Sequence, residues 1–116
     1  MHGPTPTPLK APELKAWLTN NPDLTLVDVR EDQELTIAPF PHTVEHLPLS
    51  KAEDWMGDIN NTLSEDGPVV VICHAGVRSW NFGCWLLQQQ PSREVWNLEG
   101  GIDAWSVTVD PSVPRY

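Results

Sequence analysis

The hydrophobic positions along the chain fall into short aliphatic runs that alternate with amphipathic segments. An aliphatic run without a polar interruption predicts a strand that is buried on both faces of a parallel sheet. The clearest run is "GPVVVIC", and "LTLVDV", "TVEHLPL" and "REVWNL" predict three more strands. The predicted strands cover residues 24–29, 43–49, 67–73 and 93–98.

The segments between these runs carry apolar residues at helical spacing. Pro12 suits a first helical turn, and Ser50 with Glu53 has the spacing of a capping box for a helix that carries Trp55, Met56, Ile59 and Leu63. The predicted helices cover residues 13–18, 31–37, 50–63, 79–90 and 102–105. Strands that alternate with helices along the whole chain indicate an α/β domain, with a parallel sheet and helices on both of its faces.

The domain limits follow from the same pattern. Residues 1–8, "MHGPTPTP", are rich in proline and threonine and predict a flexible lead-in, and residues 9–105 form the predicted domain. Residues 106–116 lack a clear period, and we expect this tail to pack on the domain through Val113 and Tyr116.

The charge of the chain limits its partners. Seven Lys and Arg residues against sixteen Asp and Glu residues give a formal net charge of −9, which disfavours nucleic acid and anionic membrane surfaces as partners. The apolar runs are shorter than the ~20 residues that span a membrane, and residues 1–12 lack the pattern of a signal peptide. We expect a soluble, cytoplasmic monomer, in which any anionic ligand is held by a local positive site.

Cysteine and histidine supply the candidate chemistry. Cys73 and Cys84 are eleven positions apart, on a strand end and inside the next helix, which predicts two free thiols rather than a disulfide. The pair His42 and His46 could form half of a metal site, but such a pair is more often polar surface, and we expect no bound metal.

The stretch "CHAGVRS" follows the most buried predicted strand and leads into a helix. Cys73 would then face backbone N–H groups at a helix N-terminus, which stabilise both a thiolate and an anionic ligand. Arg78 adds a full positive charge, and Gly76 allows the loop to curl closely. The alternative is that Cys73 is a small core residue, which is the role we expect for Cys84.

The spacing of this loop separates two chemistries. Cysteine phosphatases place their arginine one position further from the cysteine than Arg78 is from Cys73. The shorter loop makes a tighter cradle, which suits the terminal sulfur of a persulfide better than a phosphoryl group. No aspartate after "DVRE" can be assigned as the general acid of a phosphatase.

Three motifs together resemble the single-domain rhodaneses, a family of thiosulfate and persulfide sulfurtransferases. They are "LVDVRE", "VVVICHAGVRS" and "NLEGGIDAW", in the order and spacing of that family. The resemblance covers residues 9–105 and implies a rhodanese-like three-layer fold, whose central, mostly parallel sheet has about five strands.

The resemblance also implies roles for individual residues. Cys73 matches the catalytic cysteine of the family, whose thiolate takes the outer sulfur of a donor such as thiosulfate and passes it to a thiol or to cyanide. Arg78 would attract the anionic donor, and no cofactor is required. The residues that match the active-site loop are His74, Ala75, Gly76, Val77 and Arg78.

Two points stay open at this stage. Asp28 and Arg30 match a pair that supports the site, and they fit an ion pair that holds a strand end better than a direct catalytic role. Many relatives carry "HIPGA" where this chain has "APFPHTVEHLPL", and this difference beside the site leaves the donor open. The alternatives to a sulfurtransferase are a persulfide carrier or binding module that acts with a partner protein, and a small phosphatase.

Overall fold

The computed structural model describes residues 3–64 and 66–116. Its centre is a five-stranded sheet in which all neighbouring strands are parallel, in the order β1-β5-β4-β2-β3. The strands are β1 Thr7–Leu9, β2 Thr25–Asp28, β3 Glu45–His46, β4 Val69–Ile72 and β5 Val95–Leu98. This arrangement confirms the parallel α/β architecture that the alternating pattern predicts.

Five of the six α-helices in the described residues lie between strands, the sixth follows β5, and two 3₁₀ turns flank the third helix. The two longest helices, α1 and α5, coincide with predicted helices, and each begins two residues earlier than predicted. The helices are α1 Ala11–Asn20, α2 Asp32–Ile37, α3 Ala52–Trp55, α4 Ile59–Thr62, α5 Val77–Gln89 and α6 Gly101–Thr108. The 3₁₀ turns are Leu49–Lys51 and Met56–Asp58.

Two apolar layers cover the two faces of the sheet, because successive side chains of a strand point to opposite faces. One layer joins Val69 and Val71 to α3, α4 and α5. The other joins Val70 and Ile72 to α1, α6 and the C-terminal segment, where Val113 is buried. The chain therefore has the three-layer arrangement expected from the sequence, and four consecutive aliphatic residues of β4 lie at its centre.

The first strand lies partly inside the segment predicted to be a flexible lead-in. Thr7–Leu9 pairs with β5 in parallel, and the Glu99 amide donates to the Leu9 carbonyl. The pattern did not predict this strand because it has three residues, two of them exposed, and because its hydrogen bonds come from the far end of the chain. Residues 1 and 2 of the predicted lead-in lie outside the described residues.

The region between β2 and β4 departs most from the prediction. The predicted strand 43–49 is reduced to two residues, since Pro48 cannot donate a ladder hydrogen bond. The single helix predicted over 50–63 is instead broken by the second 3₁₀ turn, which contains the weak helix former Gly57. Ser50 is not an N-cap, because it lies within the first 3₁₀ turn and its hydroxyl bonds to Glu31.

One side chain and one segment also differ from expectation. Met56, one of the apolar residues of the predicted helix 50–63, is 40% exposed, because the broken helix turns it away from the core. The last helix runs to Thr108, three residues into the segment predicted as a tail.

Within the described residues, no helix is both long and apolar enough to span a membrane.

Candidate active site

The parallel register brings the predicted polar clusters together at one edge of the sheet. Asp28, the last residue of β2, pairs with Ile72, the last residue of β4. The Val29 amide extends this ladder by donating to the Ile72 carbonyl over 3.1 Å. Arg30 and Cys73 follow directly, so two clusters that are far apart in the sequence are neighbours at the carboxyl ends of adjacent strands.

The N-terminus of α6 fixes the loop that follows β4. The Ile102 and Asp103 amides donate to the carbonyls of Cys73 and His74 over 2.8 and 3.1 Å. Gly101 has a φ of +61°, and a Cβ atom at this position would lie 2.4 Å from the Cys73 carbonyl oxygen. Only glycine permits this approach without moving the backbone, so the "GG" turn before the last helix shapes the loop that follows β4.

The sulfur of Cys73 is surrounded by hydrogen-bond donors although the residue is fully buried. The Gly76 and Ser79 amides donate to Sγ over 3.1 and 3.4 Å, and the Ser79 hydroxyl lies 3.1 Å from it. Gly76, with a φ of +100°, directs its amide inward at the start of α5. Cys73 packs in the core, as the alternative interpretation held, but these donors also suit a negatively charged sulfur.

Ser79 and Asn97 extend this arrangement beyond the predicted site. The Ser79 hydroxyl donates to Asn97 Oδ1, and Asn97 Nδ2 donates to the Gly76 carbonyl over 3.1 Å. Asn97 therefore orients the serine and the loop together. The sequence signal for Ser79 was its position directly after Arg78. Asn97 begins the third motif, but that motif gave no sign of its contact with the loop, which it reaches from β5.

Replacing Ser79 with alanine tests whether its hydroxyl stabilises the ionised sulfur. The hydroxyl proton, donated to Asn97 Oδ1 in this structure, can rotate to Sγ when Cys73 ionises. Since alanine removes that hydrogen bond to a charged group, we expect alkylation of Cys73 by iodoacetamide at pH 7 to slow about tenfold. The measurement is the rate of adduct formation by intact mass. The exposed Ser92 near the amino ends of the strands supplies the control, because Ser92→Ala should alkylate at the wild-type rate. Equal rates for all three proteins would refute this role for Ser79.

Arg78 does not present a free positive charge to the site. Its Nη1 and Nη2 groups donate to both carboxylate oxygens of Glu34 in α2, over 2.6 and 2.8 Å. This bidentate pair raises the pKa of Arg78 and lowers the pKa of Glu34 from 4.5 to about 2. The charge that the resemblance assigned to donor binding is therefore already paired with a carboxylate 44 positions earlier in the chain.

Asp28 and Arg30 form a completely buried ion pair beside the loop. Arg30 Nε and Nη2 donate to the carboxylate of Asp28, and Nη1 donates to the Tyr116 hydroxyl over 3.1 Å. Burial lowers the pKa of Arg30, but the hydrogen bonds to Asp28 and Tyr116 outweigh it and raise that pKa overall. The geometry agrees with the predicted structural role, because the pair joins the end of β2 to the C-terminal segment.

Tyr116 lies over the loop and contacts both arginine networks. Its ring centroid is 4.3 Å from that of His74, and its hydroxyl donates to Glu34 Oε2 over 2.7 Å. Burial raises the pKa of Tyr116, the hydrogen bond from Arg30 lowers it, and the hydrogen bond to Glu34 raises it. The net result is a pKa of about 12, so the phenol keeps its proton near neutrality. The other loop side chains, Ala75 and Val77, are exposed.

In the part of the chain that the structure describes, Cys84, His42 and His46 form no hydrogen bond with Cys73. Cys84 is half-buried on α5, and both cysteines are free thiols. His42 packs against Trp105, whereas His46 Nε2 lies 2.7 Å from the Arg30 carbonyl oxygen. Among residues 3–64 and 66–116, no three His, Cys, Asp or Glu side chains form a group that could hold a metal ion.

Comparison with known proteins shows the family to which this parallel α/β domain, with a cysteine loop at the carboxyl ends of its strands, belongs. The model of the rhodanese-like domain matches residues 10–108, and the chain belongs to that family. The putative sulfurtransferase YtwF of Bacillus subtilis is 36% identical over 98 residues, covering 84% of this chain and 88% of its own. The thiosulfate sulfurtransferase GlpE of Actinobacillus pleuropneumoniae is 32% identical, covering 78% of this chain and 80% of its own.

Longer proteins also contain a similar domain. The Rhodanese-like/PpiC domain-containing protein 12 of Arabidopsis thaliana is 41% identical over 91 residues, but this chain spans 30% of its length. Among solved structures, a rhodanese-related protein of Thermoplasma volcanium matches with a TM-score of 0.65 and 24% identity, covering 93% of this chain and 95% of its own. This likeness confirms the rhodanese-like fold predicted from the three motifs.

Proposed function

We propose that this domain is a sulfurtransferase that carries sulfane sulfur on Cys73 as a persulfide. The observation that carries the proposal is the pair of backbone donors at the sulfur, the Gly76 and Ser79 amides. Such donors favour the charged sulfur that attacks a donor molecule and the charged persulfide that results. Membership in the rhodanese-like family supports the same chemistry.

The reaction divides into two displacements at sulfur. The Cys73 thiolate attacks the outer sulfur of the donor, and the donor's S–S bond breaks, so that sulfite leaves from thiosulfate or a thiolate leaves from an organic persulfide. An acceptor thiolate then attacks the outer sulfur of the Cys73 persulfide and releases the Cys73 thiolate. Each step forms one S–S bond and breaks another, and neither needs a metal or a redox cofactor.

The compartment and the donor belong to the proposal as well. Two free thiols fit a reducing environment such as the cytoplasm, where a persulfide can pass to small or protein thiols. The similarity to a thiosulfate sulfurtransferase supports thiosulfate as one donor. The phosphatase alternative has less support, since the Arg78 guanidinium is held by Glu34 rather than directed at a phosphoryl group.

Steady-state kinetics test this proposal. With thiosulfate or an organic persulfide as donor and dithiothreitol as acceptor, we expect hydrogen sulfide release with parallel double-reciprocal lines, the sign of a covalent intermediate. Intersecting lines, or hydrolysis of an aryl phosphate without sulfur transfer, would contradict it.

A further inference from the structure

The carboxylate of Glu34 accepts four hydrogen bonds, two of them from Arg78. Arg78 donates to each of its oxygens, the Glu31 amide donates to Oε1 over 3.0 Å, and the Tyr116 hydroxyl donates to Oε2 over 2.7 Å. An anion that takes the same two N–H groups of Arg78 must displace this carboxylate and break both bonds of a bidentate pair, and an anion that binds the remaining N–H groups meets its negative charge. Glu34 is therefore built into the site as a fixed negative charge.

The other arginines beside the loop are also paired with carboxylates. Arg30 is paired with the buried Asp28, and Arg115 donates to Asp103 over 2.8 Å at the start of α6. The Asp103 amide in turn donates to the His74 carbonyl, which places this ion pair next to the catalytic loop. In a chain with a net charge of −9, an anion that approaches Cys73 meets carboxylates at each of these arginines.

We infer that Glu34 is a specificity-determining residue that disfavours anionic donors, so that the preferred donor is an organic persulfide with a neutral or positively charged carrier group. The inference rests on the proposed sulfur transfer and names the donor class of that site. Glu34 acts through Arg78 and does not touch the reacting sulfur, so its effect depends on the charge of the donor. The chemistry of the S–S exchange is the same for every organic persulfide.

A series of small persulfides that differ in charge measures this preference. The probes are the persulfides of cysteamine, 2-mercaptoethanol and mercaptoacetate, with side groups that are positive, neutral and negative, together with thiosulfate. For the wild-type protein we expect second-order loading of Cys73 to be about tenfold faster with the cysteamine persulfide than with the mercaptoacetate persulfide at low ionic strength.

Glu34→Gln keeps the shape of the side chain and removes its charge. We expect this variant to lose or reverse the preference and to use thiosulfate about tenfold faster than the wild-type protein, because Arg78 is then uncompensated. Glu94→Gln is the matched control, since Glu94 is exposed and lies before β5, at the opposite edge of the sheet. It makes the same change in net charge and should keep the wild-type preference.

A second variant covers the case in which Glu34→Gln does not fold. Tyr116→Phe removes one hydrogen bond from Glu34 Oε2, and it should shift the preference in the same direction by a smaller factor. If Cys73 loads from these donors but the order of rates is the same in the wild-type protein and in both variants, the inference is refuted while the proposed function stands. If Cys73 loads from no donor, the proposed function itself fails.

Discussion

Cys73→Ser is expected to reduce sulfur transfer by about a thousandfold or more, which is the largest effect on activity that the site predicts. A serine hydroxyl is a far weaker nucleophile than a thiolate at neutral pH and cannot form a persulfide. The side chains are similar in size, and the Gly76 and Ser79 amides can still bond to the serine oxygen, so the fold should persist. The measurement is hydrogen sulfide release in the two-substrate assay.

Cys84→Ser provides the matched control for this variant. Cys84 is half-buried on α5 and lies eleven positions after Cys73, with no role in the hydrogen bonds described around the sulfur. We expect it to keep nearly the full rate. A loss in Cys84→Ser comparable to that in Cys73→Ser would show that the second thiol takes part in transfer and that its assignment to packing is wrong.

Arg30→Met is expected to lower the free energy of unfolding by about 3–5 kcal/mol, because it leaves the buried Asp28 carboxylate without its charged partner. Both side chains of this pair are 0% exposed, and Arg30 also donates to Tyr116. The change should therefore weaken both the end of β2 and the contact with the C-terminal segment. Urea unfolding followed by tryptophan fluorescence gives the midpoint and the slope.

Arg115→Met is the control that shows whether the loss of an arginine in itself lowers the free energy of unfolding. Arg115 pairs with Asp103 at the same end of the molecule, but its side chain is 64% exposed. Exposed ion pairs contribute little to stability, so the unfolding midpoint of this variant should match that of the wild-type protein. Equal midpoints for Arg30→Met and Arg115→Met would contradict the structural role assigned to the buried pair.

The elements that surround the site could be predicted because each has a local signal. The aliphatic run of β4 marks a buried strand, and the parallel register places Cys73 next to the end of β2. The small residues of the loop and the helix that begins at Val77 follow from the same stretch of sequence. Local pattern and parallel geometry together were sufficient to locate the cysteine and its amides.

The network around the loop could not be predicted because it joins distant parts of the chain. Glu34 meets Arg78 across 44 positions, and Tyr116 meets Glu34 across 82 positions. Neither pairing leaves a periodic signal, since each depends on how helices and the C-terminal segment pack above the sheet. For the same reason the sequence alone assigned Arg78 to donor binding without the carboxylate that neutralises it.

The region between β2 and β4 shows a second limit of sequence patterns. Ser50 and Glu53 have the spacing of a capping box, but the Ser50 hydroxyl instead bonds to Glu31, which directly precedes α2. A tertiary contact can outweigh a local capping preference when both use the same hydroxyl. The resulting 3₁₀ turn, Leu49–Lys51, replaces the first turn of the predicted helix.

Intact mass after a single exposure to donor tests the central claim most directly. The protein is incubated with thiosulfate or an organic persulfide and separated from it without reductant. Its intact mass is then measured by mass spectrometry, and fragmentation locates the modified residue. The account predicts one added sulfur atom on Cys73, its absence in Cys73→Ser, and its removal when dithiothreitol is added. A protein that gains no sulfur from either donor, or that gains it on Cys84 instead, would contradict the account.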